Sequence, residues 1–170
     1  MKKIILCLMV LGLSVGAFAQ NNEVGVVVGG FNGLSYKKMM SENFAIQTDL
    51  AVGFQHTVFN LENVVGSTSL FDFVLNPNFL YNKELNSGLY AFAGGGVSLG
   101  LAQELYIPEI TYGKFGINAM LGAGYKFQNY PISLSLDFRL GYGMQFHGDF
   151  GGLVINTFDW HLALGARYCF

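Results

Sequence analysis

Charged side chains are scarce in this sequence, 12% of residues, so each one that falls inside a regular element is a candidate for chemistry. Asp49, Asp72, Lys114, Lys126, Asp137, Arg139, Asp159 and Arg167 stand out, acids and bases in balance. Such a set can pair across an enclosed space or line a path for ions, and charge buried in such a space must be matched. The 3 histidines, His56, His147 and His161, form a second group, with Ser67, Asp149 and Asp159 as possible companions. Nucleophile, base and acid together would perform acyl transfer or hydrolysis, which requires nucleophile and base within hydrogen-bond reach. No motif around the histidines fixes that reach. A metal site joining them to Asp149 or Glu62 matches no ligand spacing. Gly94-Gly95-Gly96 and Gly122-Ala123-Gly124 lack the strand-to-helix context of a phosphate-binding loop and suit strand bending or close packing instead. No catalytic residue, metal or cofactor is therefore assigned from motifs.

The elements that must hold these residues begin after an N-terminal leader. Lys2 and Lys3 precede an apolar run from Ile4 to Leu13, and Ala17-Phe18-Ala19 offers small residues for signal-peptidase cleavage before Gln20. The run is too short for a spanning helix, which needs roughly 18 or more apolar residues. Cys7 lies inside the run rather than after it, which argues against a lipoprotein. Residues 1–19 thus read as a signal peptide and 20–170 as one domain. Cys169 is the cysteine that remains, so no intramolecular disulfide is expected.

Within that domain, side chains alternate with period two. Phe44, Ile46, Leu50, Val52 and Phe54 interleave with Ala45, Gln47, Asp49, Ala51 and Gly53. Residues 114–127, 132–144 and 158–170 repeat the pattern, and 23–31, 34–40, 69–81 and 89–101 complete it. Asn32-Gly33 is the dipeptide of a tight hairpin turn. In the second strand Lys38 shares a parity with Tyr36 and Met40, and a position near the strand end lets its amine reach an interface. Connections at 41–43, 82–88 and 128–131 are short, whereas 56–68, 102–112 and 145–157 are longer, carrying apolar stretches such as Leu105-Tyr106-Ile107 and Phe150 to Ile155. These could cap a lumen or meet a partner.

The fold this predicts is all-β: a transmembrane antiparallel barrel of about eight strands. The polar parity is rich in Gly, Ala and Ser and poor in charge, unlike a solvent surface, where roughly a quarter to a third of positions are charged. The apolar parity is too bulky for so narrow an interior. Aromatics, 15% of the chain, gather near strand ends, where membrane interfaces favour them. Closure follows, because an open sheet edge in hydrocarbon leaves backbone groups unsatisfied. A net charge of −2 without a basic patch excludes nucleic acid as an expected partner.

The C-terminal segment Gly165-Ala166-Arg167-Tyr168-Cys169-Phe170 resembles the terminal strand signal of outer-membrane β-barrel proteins: a glycine, an aromatic two from the end and a final Phe. With the leader and strand count, the chain resembles the small OmpA/OmpX-type barrels over its whole mature length. That resemblance implies a bacterial outer-membrane location with both termini periplasmic. It also implies lipid and lipopolysaccharide contacts, and reading of Gly165, Tyr168 and Phe170 by the barrel-assembly machinery. The chain ends at Phe170, so the periplasmic peptidoglycan-binding domain often added in that family is not expected. A structural or surface-interaction role without enzymatic activity is the leading expectation, with the charges forming a lumen network that plugs the barrel. The alternative is a lipid-modifying enzyme of the lipid A acyltransferase or deacylase type, with histidines at the extracellular rim.

Overall fold

The computed structural model describes residues 22–61, 64–104, 111–147 and 153–170, with side chains described except at 55–61, 64–70, 147 and 153–157. It contains β1 (Asn22–Gly29), β2 (Asn32–Met39), β3 (Phe44–Leu61), β4 (Val64–Asn86), β5 (Leu89–Glu104), β6 (Thr111–Lys126), β7 (Ile132–His147) and β8 (Leu153–Cys169). The strands follow one another in chain order around a closed antiparallel barrel. β1 and β8 form the closing seam, from Glu23 opposite Cys169 to Gly29 opposite Ala163. Asn22 and Phe170 extend it by exchanging backbone hydrogen bonds of 3.1 and 2.9 Å.

The alternation sorts side chains by size as well as polarity. Along β7, Ser133, Ser135, Asp137 and Arg139 are buried in the lumen while Ile132, Leu134, Leu136 and Leu140 are exposed outside. The same inversion runs round the wall, so the apolar exterior has no packed partner and the interior is polar. Among the described residues no helix is long and apolar enough to cross a membrane.

Three sequence expectations about connections are corrected. Asn32-Gly33 is not the first turn: both residues are paired in β2, Asn32 with Val52 and Gly33 with Ala51. The turn lies at Gly30 and Phe31, where Gly29 has a φ of 146° and its N–H donates to Asn32 Oδ1 at 3.3 Å. Gly33 serves close strand approach instead, because a Cβ there would collide with the Leu50 carbonyl oxygen. The segment 82–88 is mostly strand, and the reversal sits at Ser87-Gly88, where φ values of 27° and 92° match the positive-φ demand of a two-residue hairpin. The long outer connections are also shorter than expected. The β3–β4 ladder continues to Leu61 opposite Val64, and the β7–β8 ladder to His147 opposite Leu153. A two-stranded ribbon pairs along its inner edge and can leave its outer backbone groups to water, so composition alone does not mark where the wall stops.

Pro77 shows the wall accommodating a missing donor. The β4–β5 ladder omits Asn76 and Pro77, and the Asn78 side-chain amide donates to the Asn76 carbonyl at 2.9 Å. Gly33→Ala should destabilise the barrel by about 1–3 kcal/mol through overpacking. Urea unfolding in detergent would show it, and a midpoint unchanged from the parent would refute the close-approach role.

Candidate functional site

The lumen is the candidate site, and it is built in layers. At the end that holds the termini, buried Glu23 accepts a hydrogen bond from Ser133 Oγ at 2.9 Å and pairs with Lys126 Nζ at 3.6 Å. Above it, Arg167 donates through Nε to Ser35 Oγ (2.9 Å), through Nη1 to Ser135 Oγ (2.7 Å) and through Nη2 to Asp137 Oδ2 (3.2 Å). Nearby, Lys37 is only 2% exposed; its ammonium donates to Asn82 Oδ1 at 2.7 Å and lies 4.7 Å from the Tyr90 ring centre. The aromatic face supplies part of what water would give the cation.

The middle layer is an ion pair between strands far apart in sequence. Arg139 Nη2 donates to Asp49 Oδ2 at 2.6 Å, while Gln47 Nε2 lies 3.2 Å from both Asp49 oxygens. Phe31, from the β1–β2 turn, folds inward until its ring lies 4.5 Å from the Arg139 guanidinium. Two apolar clusters share the lumen: Val27, Phe31, Ala51 and Ala163, and Leu80, Phe92 and Met120.

Toward the opposite end the lumen opens into a cavity of about 180 Å³. Lys114 pairs with Asp72 at 2.6 Å and Asp159 approaches His161 at 3.5 Å. Ser98 Oγ bridges these strands, donating to Asn76 Oδ1 at 2.6 Å and accepting from Asn118 Nδ2 at 3.2 Å.

The expected charge set is therefore placed on lumen positions, with Asp49–Arg139, Asp72–Lys114 and Asp137–Arg167 brought together. Asp159 meets a histidine, and Lys126 meets Glu23, which the expected set omits along with Lys37. Both omitted residues carry a legible signal: Glu23 shares parity with Gly25 and Val27, and Lys37 with Gly33 and Ser35. Lys38 is exposed beside the last residue of β2, as its parity requires.

His161 faces the lumen and meets Phe31 edge-on, ring centres 5.9 Å apart. His56, Ser67 and His147 belong to strands β3, β4 and β7 rather than to loops. Their side chains, with Glu62, Asp149, the 105–107 segment and Phe150, lie outside the described residues. Among the described residues no three metal-ligating side chains converge. In the terminal segment Gly165 is packed where a Cβ would meet Ser135 Oγ at 2.5 Å, and Tyr168 is exposed with its ring 6.3 Å from that of Phe170. Cys169 is a buried free thiol.

An antiparallel eight-stranded wall with apolar side chains outside and paired charges inside defines the class of closed all-β barrels with inverted polarity. The chain matches no protein-family model and no curated protein. Among solved structures it is similar to a major outer membrane protein from Thermus thermophilus, with a TM-score of 0.59 and 15% identity over 90% of this chain and 100% of that one. That likeness concerns the fold.

Removing one partner of the middle pair tests how tightly the lumen is balanced. Arg139→Ala strands a fully buried Asp49 and should cost about 3–5 kcal/mol. The double variant Asp49→Asn with Arg139→Met should recover part of that loss in the same unfolding assay. Equal destabilisation of single and double variants would deny the coupling.

Proposed function

We propose that the mature chain is an integral outer-membrane β-barrel with a structural or surface-interaction role, its lumen filled by paired polar side chains. The observation that carries this reading is the inverted polarity. Phe54, Phe158 and Trp160 are 77%, 69% and 65% exposed on the outer face, whereas Asp49, Asp137 and Arg167 are 0%, 1% and 2% exposed within. In water that exterior would be an apolar patch far larger than a monomer tolerates. In a bilayer it is the required surface, and along the height where all eight strands pair closure leaves no open edge for lipid to meet. The similar fold of an outer membrane protein supports the same reading.

In this proposal residues 1–19 are the export signal and both termini are periplasmic. Aromatic pairs such as Tyr125–Phe127 and Phe44–Tyr81 sit at the interface on that side. Gly165, Tyr168 and Phe170 present the assembly signal on the last strand, and outer-membrane lipids and lipopolysaccharide are the standing partners. The lumen is plugged rather than conducting, since its arginines are spent in ion pairs and apolar clusters fill the space beside them.

Isolated outer membranes run on SDS gels should give a faster band before boiling than after, as a closed detergent-resistant barrel does. An unshifted band in the soluble periplasmic fraction would overturn the proposal. Deleting Phe170 should lower the amount of shifted band severalfold, whereas an unchanged yield would remove the assembly role from that residue.

A further inference from the structure

The barrel wall is uneven in height. β1 ends at Gly29 opposite Ala163, and β2 begins at Asn32 opposite Val52. One further bond, from Gly30 N–H to the Leu162 carbonyl at 2.9 Å, closes the top of this low section. Beyond it β3 runs on to Leu61 and β8 starts as far out as Leu153. Among the described residues these extensions pair only with β4 and β7. A notch two strands wide results, bounded by the free edges of β3 from Gly53 outward and of β8 from His161 outward.

The height of the notch follows from the register. Phe54 lies two residues outward of Val52, and Trp160 two residues outward of Leu162, about 6–7 Å along each strand. These rings and Phe158 are among the most exposed aromatic side chains of the exterior, the type that marks a membrane interface. The floor of the notch therefore lies on the hydrocarbon side of that ring of aromatics, and it opens sideways rather than only to the outside.

Directly behind the notch is the outer lumen cavity. Gly30 and Phe31 of the floor, Gly53 of one flank, and Asp159 and His161 of the other all line it. A Cβ built at Gly53 would meet nothing within 4 Å, so open space reaches that flank. The cations at the cavity, Lys114 and Arg139, are already paired with Asp72 and Asp49, so an anionic head would find no uncompensated partner among them. Neutral polar side chains line the cavity as well: Asn76, Ser98 and Asn118 bring amide and hydroxyl groups to its wall. Such amide and hydroxyl groups match hydroxyl groups of a ligand, which both give and accept. The volume of about 180 Å³ falls below the roughly 300–1,000 Å³ of drug-sized pockets and suits one small head rather than a whole lipid.

We infer that the notch and the cavity behind it form a binding site for a single-chain amphiphile of the outer leaflet, its neutral hydroxylated head in the lumen and its chain leaving between β3 and β8. This site rests on the outer-membrane reading above. The test uses the mature barrel in lipid nanodiscs, with heat modifiability checked on every preparation. A failed shift there speaks against the membrane barrel itself, separately from the site.

The probe is a monoacylglycerol with a diazirine near the head of its acyl chain, competed with unlabelled monolauroylglycerol or with laurate. Photoadducts should map to residues 51–54 and 158–161, saturate, and fall at least fivefold with monolauroylglycerol but less than twofold with laurate. Gly53→Phe, whose Cβ meets no neighbour, should keep the heat-modifiable shift and lose those adducts by a similar factor. Adducts spread evenly over the lipid-facing strands, equal competition by laurate, or unchanged labelling in Gly53→Phe would each overturn the inference.

Discussion

Every backbone N–H and C=O in a wall that faces hydrocarbon must find its partner within the wall, and in the membrane reading proposed for this chain the β1–β8 seam is where that demand is met. Sequence-distant ends are joined there, from Glu23 opposite Cys169 to Gly29 opposite Ala163. The seam fixes the strand number, and eight strands fix a lumen only wide enough for side chains. That width in turn dictates the small residues on the inner parity and forbids unpaired charge among them. Glycine at position 33 and the serines around Arg167 are consequences of closure as much as local preferences.

The narrow lumen turns a handful of charges into long-range fasteners. Arg139 and Asp49 belong to strands that are not neighbours in the wall, as do Arg167 and Ser35, so each contact crosses the interior instead of running along the ladder. A buried ion pair adds little stability over an apolar filling of the same shape, yet breaking one side of it is expensive. Such pairs hold the interior to one arrangement: Phe31 can occupy the lumen because the Arg139 guanidinium lies against its ring. The low β1–β2 wall and the filled middle layer are thus two sides of one packing solution.

Most of the architecture is legible in the residues. Period-two alternation marks all eight strands and assigns each charge of the expected set to the inner parity, because a strand leaves its side chains no third direction. What stays hidden depends on pairing between distant strands. The partner of Asp49 lies 90 residues away, and no local pattern reports that register. Asn32-Gly33 carries a strong turn signal, but bonding of Gly29 and Gly30 to β8 holds the chain on the wall and reverses it at Gly30-Phe31. Lys37 is easily passed over beside Lys38, although parity distinguishes the buried one from the exposed one. The outer ends of β3, β4, β7 and β8 escape a reading of composition because a protruding ribbon needs no apolar face.

Which face meets lipid is the claim on which the account stands, and Trp160, the single tryptophan, reports it directly. Its fluorescence would be measured for the folded protein in vesicles containing lipids brominated on their upper acyl chains, and separately with aqueous acrylamide. Strong quenching by the brominated lipid and weak quenching by acrylamide are expected. Efficient acrylamide quenching with no response to brominated lipid would contradict that claim, leaving a barrel whose apolar face does not lie in a membrane.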